Sequence, residues 1–271
     1  MSQIDIDQAI AAHYGRSELT ARILKALGAD AGGARPLTLA SLAQIDQLHH
    51  GGLGLTERLV NVAEVGTGMH VLDAGSGIGG AARHLVAVCG CTVEAIDLTP
   101  EFVRTGAELD GYVGLSESIT HRVGSVTELP YDDSSFDAVW SQNVTMNIAD
   151  KSAMFTEALR VLRPSGVFAF THLAKGNGEG LDYPLPWAGS PETSFLGSPD
   201  EIMKGLKDAG FENATDHALA TPPPPPPPPP GGGPDDAVVM GEDMPVRRGN
   251  AMRAVADGRL VPMMVTAQRP A

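Results

Sequence analysis

The chain has 271 residues with a formal net charge of −14, and 42% of them are hydrophobic against 19% charged. That size and balance suit one soluble α/β core with attachments rather than two full-size domains. The acidic excess disfavours nucleic-acid phosphates and anionic membrane surfaces, which leaves a small molecule as the expected partner and homodimerisation open.

The N-terminus reads Met1-Ser2-Gln3-Ile4-Asp5-Ile6-Asp7 without an apolar leader. No apolar run approaches the ~18 residues of a membrane span, so a cytoplasmic location is expected. Cys89 and Cys91 are the two cysteines. In an extended segment their side chains run parallel with Cα atoms ~6.6 Å apart, so two small buried hydrophobes are expected and not a disulfide.

Residues 1–60 read as a helical cap. Ile10, Tyr14, Leu19, Ile23, Leu24 and Leu27 recur at near-helical spacing, broken by Gly32-Gly33 and Pro36. A helix over 53–65 leads into residues 61–271, where strands and helices alternate. Strands are expected at 71–74, 92–98, 118–124, 136–141, 167–172 and 211–215. Helices are expected at 81–88, 101–109, 151–162 and 199–210. This alternation predicts a mainly parallel, Rossmann-like seven-stranded sheet with helices on both faces. The run Pro222 to Pro230 with Gly231-Gly232-Gly233-Pro234 interrupts the core at 221–234. Nine such residues make a polyproline rod of about 28 Å at ~3.1 Å each, read as a spacer rather than a docking ligand. A helix at 246–257 and a strand at 260–268 follow, the strand suited to antiparallel pairing at a sheet edge.

Asp73-Ala74-Gly75-Ser76-Gly77-Ile78-Gly79-Gly80 joins the first strand to the first core helix, and Asp97 ends the next strand. Glycines let a ligand approach the main chain, and an acid twenty residues on can accept both ribose hydroxyls. Gly75, Gly77 and Gly80 also satisfy the dinucleotide pattern, so the glycines alone leave two cofactors open. Asp73 favours S-adenosylmethionine. A carboxylate there repels a dinucleotide pyrophosphate but suits the α-ammonium of a cofactor that carries no phosphate. The blander role, tying down the amides of the turn, is compatible with the same fold.

Several segments in order then resemble the class I S-adenosylmethionine-dependent methyltransferases. These are Val71 to Gly80, Glu94-Ala95-Ile96-Asp97-Leu98, Gly124-Ser125-Val126-Thr127-Glu128-Leu129-Pro130, Ser134 to Trp140, and Leu159 to Gly166. Asp46-Gln47-Leu48-His49-His50-Gly51-Gly52 and Trp140-Ser141-Gln142-Asn143 are similar to the subgroup that methylates small amines such as sarcosine, dimethylglycine and phosphoethanolamine. The resemblance implies that Asp73, Gly75, Ser76, Gly77, Gly79, Asp97 and Leu98 bind the cofactor. It implies that Leu48 and His49 cover the methionine end, Ser125 and Val126 flank adenine, and Gln142 and Asn143 lie near the sugar and sulfonium. Ser125 departs from the acidic residue of many relatives. Asn147 stands where some phosphobase enzymes carry a catalytic histidine, so that role does not transfer.

Methyl transfer from a sulfonium is an in-line displacement that needs alignment and exclusion of water, with a base only for a protonated nucleophile. His172 at the end of the fifth strand is the first candidate base, against a structural histidine. Tyr14 is the candidate for closing over the pocket, against a core tyrosine. Tyr183 and Trp187 are equally placed to hold a cationic amine or simply to pack. No Cys/His cluster has metal-ligand spacing, so no metal is expected. The acceptor is expected to be a small-molecule amine or hydroxyl. Two alternatives stand beside this reading: an NAD(P)-dependent oxidoreductase, and a catalytically silent S-adenosylmethionine-binding interaction protein.

Overall fold

The computed structural model describes residues 3–14, 18–29, 36–217 and 235–271. The Gly32-Gly33 break and the proline-rich segment 221–234 lie outside these.

In chain order the helices are α1 (Gln3–Tyr14), α2 (Leu19–Ala26), α3 (Leu39–Leu42), α4 (Gly52–Ala63), α5 (Gly80–Cys89), α6 (Pro100–Val113), α7 (Lys151–Val161), α8 (Pro199–Ala209), α9 (Ala237–Met240) and α10 (Met244–Ala256). The strands are β1 (His70–Ala74), β2 (Thr92–Asp97), β3 (Ile119–Val123), β4 (Phe136–Gln142), β5 (Leu162–Lys175), β6 (Glu212–Asp216) and β7 (Leu260–Gln268). Local chemistry sets several boundaries. Asp150 caps α7 by accepting the Ala153 amide at 3.0 Å. Ser198 and Glu201 form a reciprocal capping box on α8, with Pro199 in its first turn.

The seven strands form one sheet in the order β3-β2-β1-β4-β5-β7-β6. Strands β1 to β5 are mutually parallel. The expected mainly parallel α/β sheet is therefore the architecture. β7 is antiparallel to both of its neighbours, β5 and β6. It is an internal strand and not an edge, which corrects the expected edge pairing: β6 takes the edge and β7 fills the gap beside β5. β5 also runs longer than 167–172. Its register jumps from Phe136↔Leu162 to Ala138↔Val167. The turn 163–166 is thus looped out of the ladder, with Ser165 at φ 64°.

Two apolar layers cover the sheet. Phe155, Phe168, Phe170, Ile202 and Leu206 bring α7 and α8 onto one side. Leu55, Leu59, Leu85 and Trp140 bring α4 and α5 into the other cluster. α4, which straddles the expected boundary at residue 60, therefore packs on the sheet. A third cluster joins Leu19, Ile23, Leu42 and Ile45 to Ile78 and Phe102, and also to Val239, Met240 and Met244. The covering layer thus draws on both ends of the chain. Cys89 closes α5, Gly90 caps it at φ 68°, and Cys91 precedes β2. The two cysteines do not share an extended segment as expected, and both are buried free thiols.

Candidate active site

The strand order reverses between β1 and β4, since β1 pairs in parallel with β2 on one side and β4 on the other. Open α/β sheets bind ligands beyond the carboxyl ends of the strands at such a point. A cavity lies there. Asp73, Gly75, Ser76, Gly77, Asp97 and Leu98 line it from the turn and β2, Ser125 and Val126 from beyond β3, Gln142 and Asn143 from the end of β4, and Leu48, His49 and Tyr14 from the covering segments.

The turn owes its shape to backbone geometry. Gly75 lies at φ 83°, and a Cβ there would sit 2.3 Å from a methyl of Val144. The Gly75 and Ser76 amides both donate to the Ile96 carbonyl, at 2.8 and 3.0 Å. Asp97 Oδ2 accepts the Gly77 amide and Oδ1 the Thr99 amide, each at 2.8 Å. These bonds hold the Asp97 carboxylate against the turn, with lone pairs left for a ligand. Burial raises its pKa.

Asp73 is 2% exposed. Burial, then the Asp97 charge, raises its pKa to about 7, and the Ala82 amide and Arg83 offset this only in part. Its Oδ2 has no hydrogen-bond partner, and the same holds for Ser76 Oγ and Gln142 Nε2. All three residues line the cavity. A buried polar atom without a partner costs about 1–3 kcal/mol, so three on residues lining one cavity mark a place where a polar ligand can complete the bonding. Gln142 is also oriented, because Trp140 Nε1 donates to its Oε1 at 3.0 Å and Thr56 Oγ1 does so at 3.1 Å. Its amide nitrogen is left to serve as a donor.

His49 is not a free base. Its Nδ1 lies 3.2 Å from the His50 carbonyl and its Nε2 3.1 Å from Thr56 Oγ1. Nδ1 must donate to that carbonyl, which leaves Nε2 an acceptor that competes with the Gln47 and Gln142 amide oxygens for the one Thr56 hydroxyl proton. Burial lowers its pKa to about 4, so the ring is neutral. The Tyr14 hydroxyl donates to Asn147 Oδ1 at 3.0 Å. Asn147 is itself oriented by donating to the Trp187 and Thr193 carbonyls at 2.8 and 3.2 Å. Burial, then Asp97, raises the Tyr14 pKa and keeps the phenol protonated.

Two expected placements, those of His172 and Gly79, need correction, and the open choice for Trp187 falls to packing. His172 is fully buried, three residues inside the end of β5, and does not line the cavity. Its Nδ1 lies 2.5 Å from Thr145 Oγ1, and burial followed by the Lys151 charge lowers its pKa to about 3. It was expected near the cleft mouth because its strand was read as ending there. Gly79 does not line the cavity either. It is the left-handed N-cap of α5 at φ 85° and turns the chain into the helix. Trp187 is 3% exposed in a cluster with Met146 and Leu185, its Nε1 donating to Ser194 Oγ at 3.0 Å. It packs, and Tyr183 joins the same cluster.

Some lining residues were not anticipated in the sequence. Phe102, Val144, Ile148 and Met240 complete the apolar surface, and Asn147 faces Tyr14. Phe102 sits on the helix after β2, a position that amphipathic spacing could have flagged. Met240 lies beyond the proline run, where no local pattern points back to the cavity. Among the described residues no group of three or more His, Cys, Asp or Glu could hold a metal. No helix among them is long and apolar enough to cross a membrane.

The donor set fits S-adenosylmethionine. The residues lining the cavity include Asp46, Asp73 and Asp97 and, among those described, no Lys or Arg. Carboxylates of this kind suit an ammonium and a sulfonium and oppose a pyrophosphate. Comparison with known proteins agrees. Residues 72–170 match a family model described as a methyltransferase domain. Sarcosine/dimethylglycine N-methyltransferase of Halorhodospira halochloris is 33% identical over 171 residues, covering 61% of this chain and 61% of that protein. The chain spans less than two thirds of the length of the curated relatives it matches. The crystal structure of a putative sarcosine dimethylglycine methyltransferase from Galdieria sulphuraria aligns with a TM-score of 0.61 at 23% identity, over 81% of this chain and 85% of that one. Phosphoethanolamine N-methyltransferase 2 of Haemonchus contortus, solved with S-adenosyl-L-methionine, aligns with a TM-score of 0.66 at 18% identity, over 83% and 54%. Residues 72–170 are thus similar to a methyltransferase domain, and the chain around them is similar to N-methyltransferases named for sarcosine and dimethylglycine.

Proposed function

We propose that this protein is an S-adenosylmethionine-dependent methyltransferase acting on a small-molecule amine by in-line displacement. The observation that carries the reading is the set of three unpartnered buried polar atoms on Asp73, Ser76 and Gln142, residues that all line one acid-lined cavity at the strand switch point. The amine preference is supported by the amine methyltransferases among the relatives.

Bound there, S-adenosylmethionine supplies a methyl group activated by a sulfonium. Asp97 accepts the ribose hydroxyls while its other lone pairs keep the Gly77 and Thr99 amides. Asp73 faces the α-ammonium, Ser125 and Val126 flank adenine, and Leu48 and His49 cover the methionine end. The Gln142 amide donates towards the sugar or carboxylate, beside Asn143. Tyr14, Phe102 and Met240 exclude water at the acceptor end. Neutral His49 and protonated Tyr14 supply no strong base, so alignment of an unprotonated amine is what these residues contribute.

A thermal-shift series tests the cofactor. S-adenosylmethionine and S-adenosylhomocysteine are expected to raise the melting temperature and NAD(P) to leave it unchanged; stabilisation by NAD(P) alone overturns the reading. Mass-spectrometric screening of amines, phenols and carboxylates then tests the acceptor, with mono- or dimethylated amines expected. Methylation of phenols and not amines would reassign the acceptor class.

A further inference from the structure

Beneath the cavity a buried ionic cluster ties the glycine turn to its cover. Arg83, in the first turns of α5, is 1% exposed. Its Nη2 donates to the Ile78 carbonyl at 2.7 Å and to Asp46 Oδ2 at 3.0 Å, and its Nε reaches the same oxygen at 3.3 Å. Its Nη1 donates to Asp110 Oδ1 at 2.8 Å, and Asp110 Oδ2 lies 2.7 Å from His121 Nε2. One guanidinium thus touches the turn, the covering segment 46–49 and α6, and reaches β3 through Asp110. Of these, only Asp46 lines the cavity.

We propose that Arg83 is a positioning residue for the cofactor, locking the covering segment 46–49 onto the glycine turn so that both faces of the methionine end are set by one side chain. This rests on the proposed function. Two observations and one general argument carry it. The Ile78 carbonyl that Arg83 holds lies between Gly77, whose amide binds Asp97, and Gly79, which turns into α5. Fixing that carbonyl fixes its peptide plane and with it the Gly79 amide, which donates to the Ser76 carbonyl at 2.9 Å and closes the turn. The cover also lies directly on the start of α5: a Cβ on Gly80 would sit 2.2 Å from the Asp46 carbonyl oxygen, and one on Gly77 would sit 3.2 Å from Leu48 Cδ1. Finally, a buried ion cluster is a poor source of net stability compared with apolar packing. Its attested use is to specify one register between packed parts, and here those parts are the two faces of the cavity. A lysine cannot substitute, because a single ammonium lacks the planar fork that spans Asp46, Ile78 and Asp110.

The test uses the full chain and its Arg83→Met, Arg83→Lys and Asp46→Asn variants. Calorimetry measures the S-adenosylhomocysteine Kd well below each melting temperature, and hydrogen exchange of the ligand-free proteins reads the amides of 46–50 and 76–80. Arg83→Met is expected to raise Kd at least tenfold and to speed exchange in both segments together. Arg83→Lys is expected to resemble Arg83→Met more than the unmodified protein. In steady state the loss falls on KM for S-adenosylmethionine more than on kcat at saturation, a split that general destabilisation does not produce. If Arg83→Met fails to fold, Asp46→Asn, which breaks only the link to the cover, is expected to show the same coupled exchange and weaker binding. Unchanged Kd in a folded variant, or faster exchange in only one segment, overturns the role of Arg83. Absence of binding by the unmodified protein overturns the cofactor reading itself, and with it any role of Arg83 towards that cofactor.

Discussion

The two walls of the cavity are held by different forces. One wall is drawn from residues 73–99, where the chain turns from β1 into α5 and back through β2. Its shape comes from glycine backbone angles and from amides bonded to Ile96 and Asp97. The other wall gathers Tyr14, Asp46, Leu48, His49 and Met240 from distant parts of the chain. It is held by the apolar cluster of Leu19, Ile23, Phe102 and Val239 and by the Arg83–Asp46 pair. Directional bonds over short separations build a wall that tolerates little change. Apolar packing over long separations builds one that can be trimmed, and substitutions in the two walls should differ accordingly.

The largest effect is expected at Gly75. Gly75→Ala places a methyl into Val144 at a left-handed φ, costing roughly 2–4 kcal/mol of folding stability from strain and overpacking. Denaturant titration checks this, and a loss below about 0.5 kcal/mol would show that Val144 yields freely. Asp97→Ala comes next. It leaves the Gly77 and Thr99 amides without their acceptor and should raise the cofactor Kd about 30-fold, at about 2 kcal/mol. An unchanged Kd by calorimetry would separate the turn from cofactor binding.

A pH effect follows from Asp73, whose folded pKa is raised from 3.8 to about 7. Between these values the folded protein holds a proton that the unfolded chain has released. The Asp73 contribution to ligand-free stability is therefore greatest at low pH and lost as pH rises towards about 7. A cationic ligand favours the ionised form, so cofactor affinity should fall as pH drops below about 7, by up to about tenfold per unit. Asp97, shifted in the same direction by burial, adds to this. Calorimetry across pH checks the slope, and Asp73→Asn should flatten it. The smallest effect is on the packed wall. Tyr14→Phe removes one hydrogen bond to Asn147, worth about 0.5–1.5 kcal/mol. It should appear as a rise in KM for the acceptor of a few fold, with the cofactor Kd unmoved. A large change in that Kd would show the two walls to be one unit at this end as well.

The same division explains what could be read in advance. Gly75, Ser76, Gly77 and Asp97 lie within one strand–turn–helix–strand unit, where spacing constrains geometry, and they line one cavity. Leu48 and His49 were reached only through family resemblance. Gly79 was misplaced because a motif does not distinguish a glycine that touches ligand from one that caps the helix. His172 was misplaced because β5 continues to Lys175, which buries a residue expected at the strand end. Trp187 was left undecided because composition does not tell a packing aromatic from a cation-binding one.

By itself, then, the sequence determined the parallel α/β core, the glycine turn and the two carboxylates beside it, because backbone conformation and local hydrogen bonding act over a few residues. Only the tertiary structure decided that β7 lies inside the sheet and that His172 is buried. It alone placed Met240 at the cavity beside Tyr14 and joined Arg83 to the cover through Asp46. Those outcomes depend on burial and on partners brought together from far along the chain, and no local spacing encodes them.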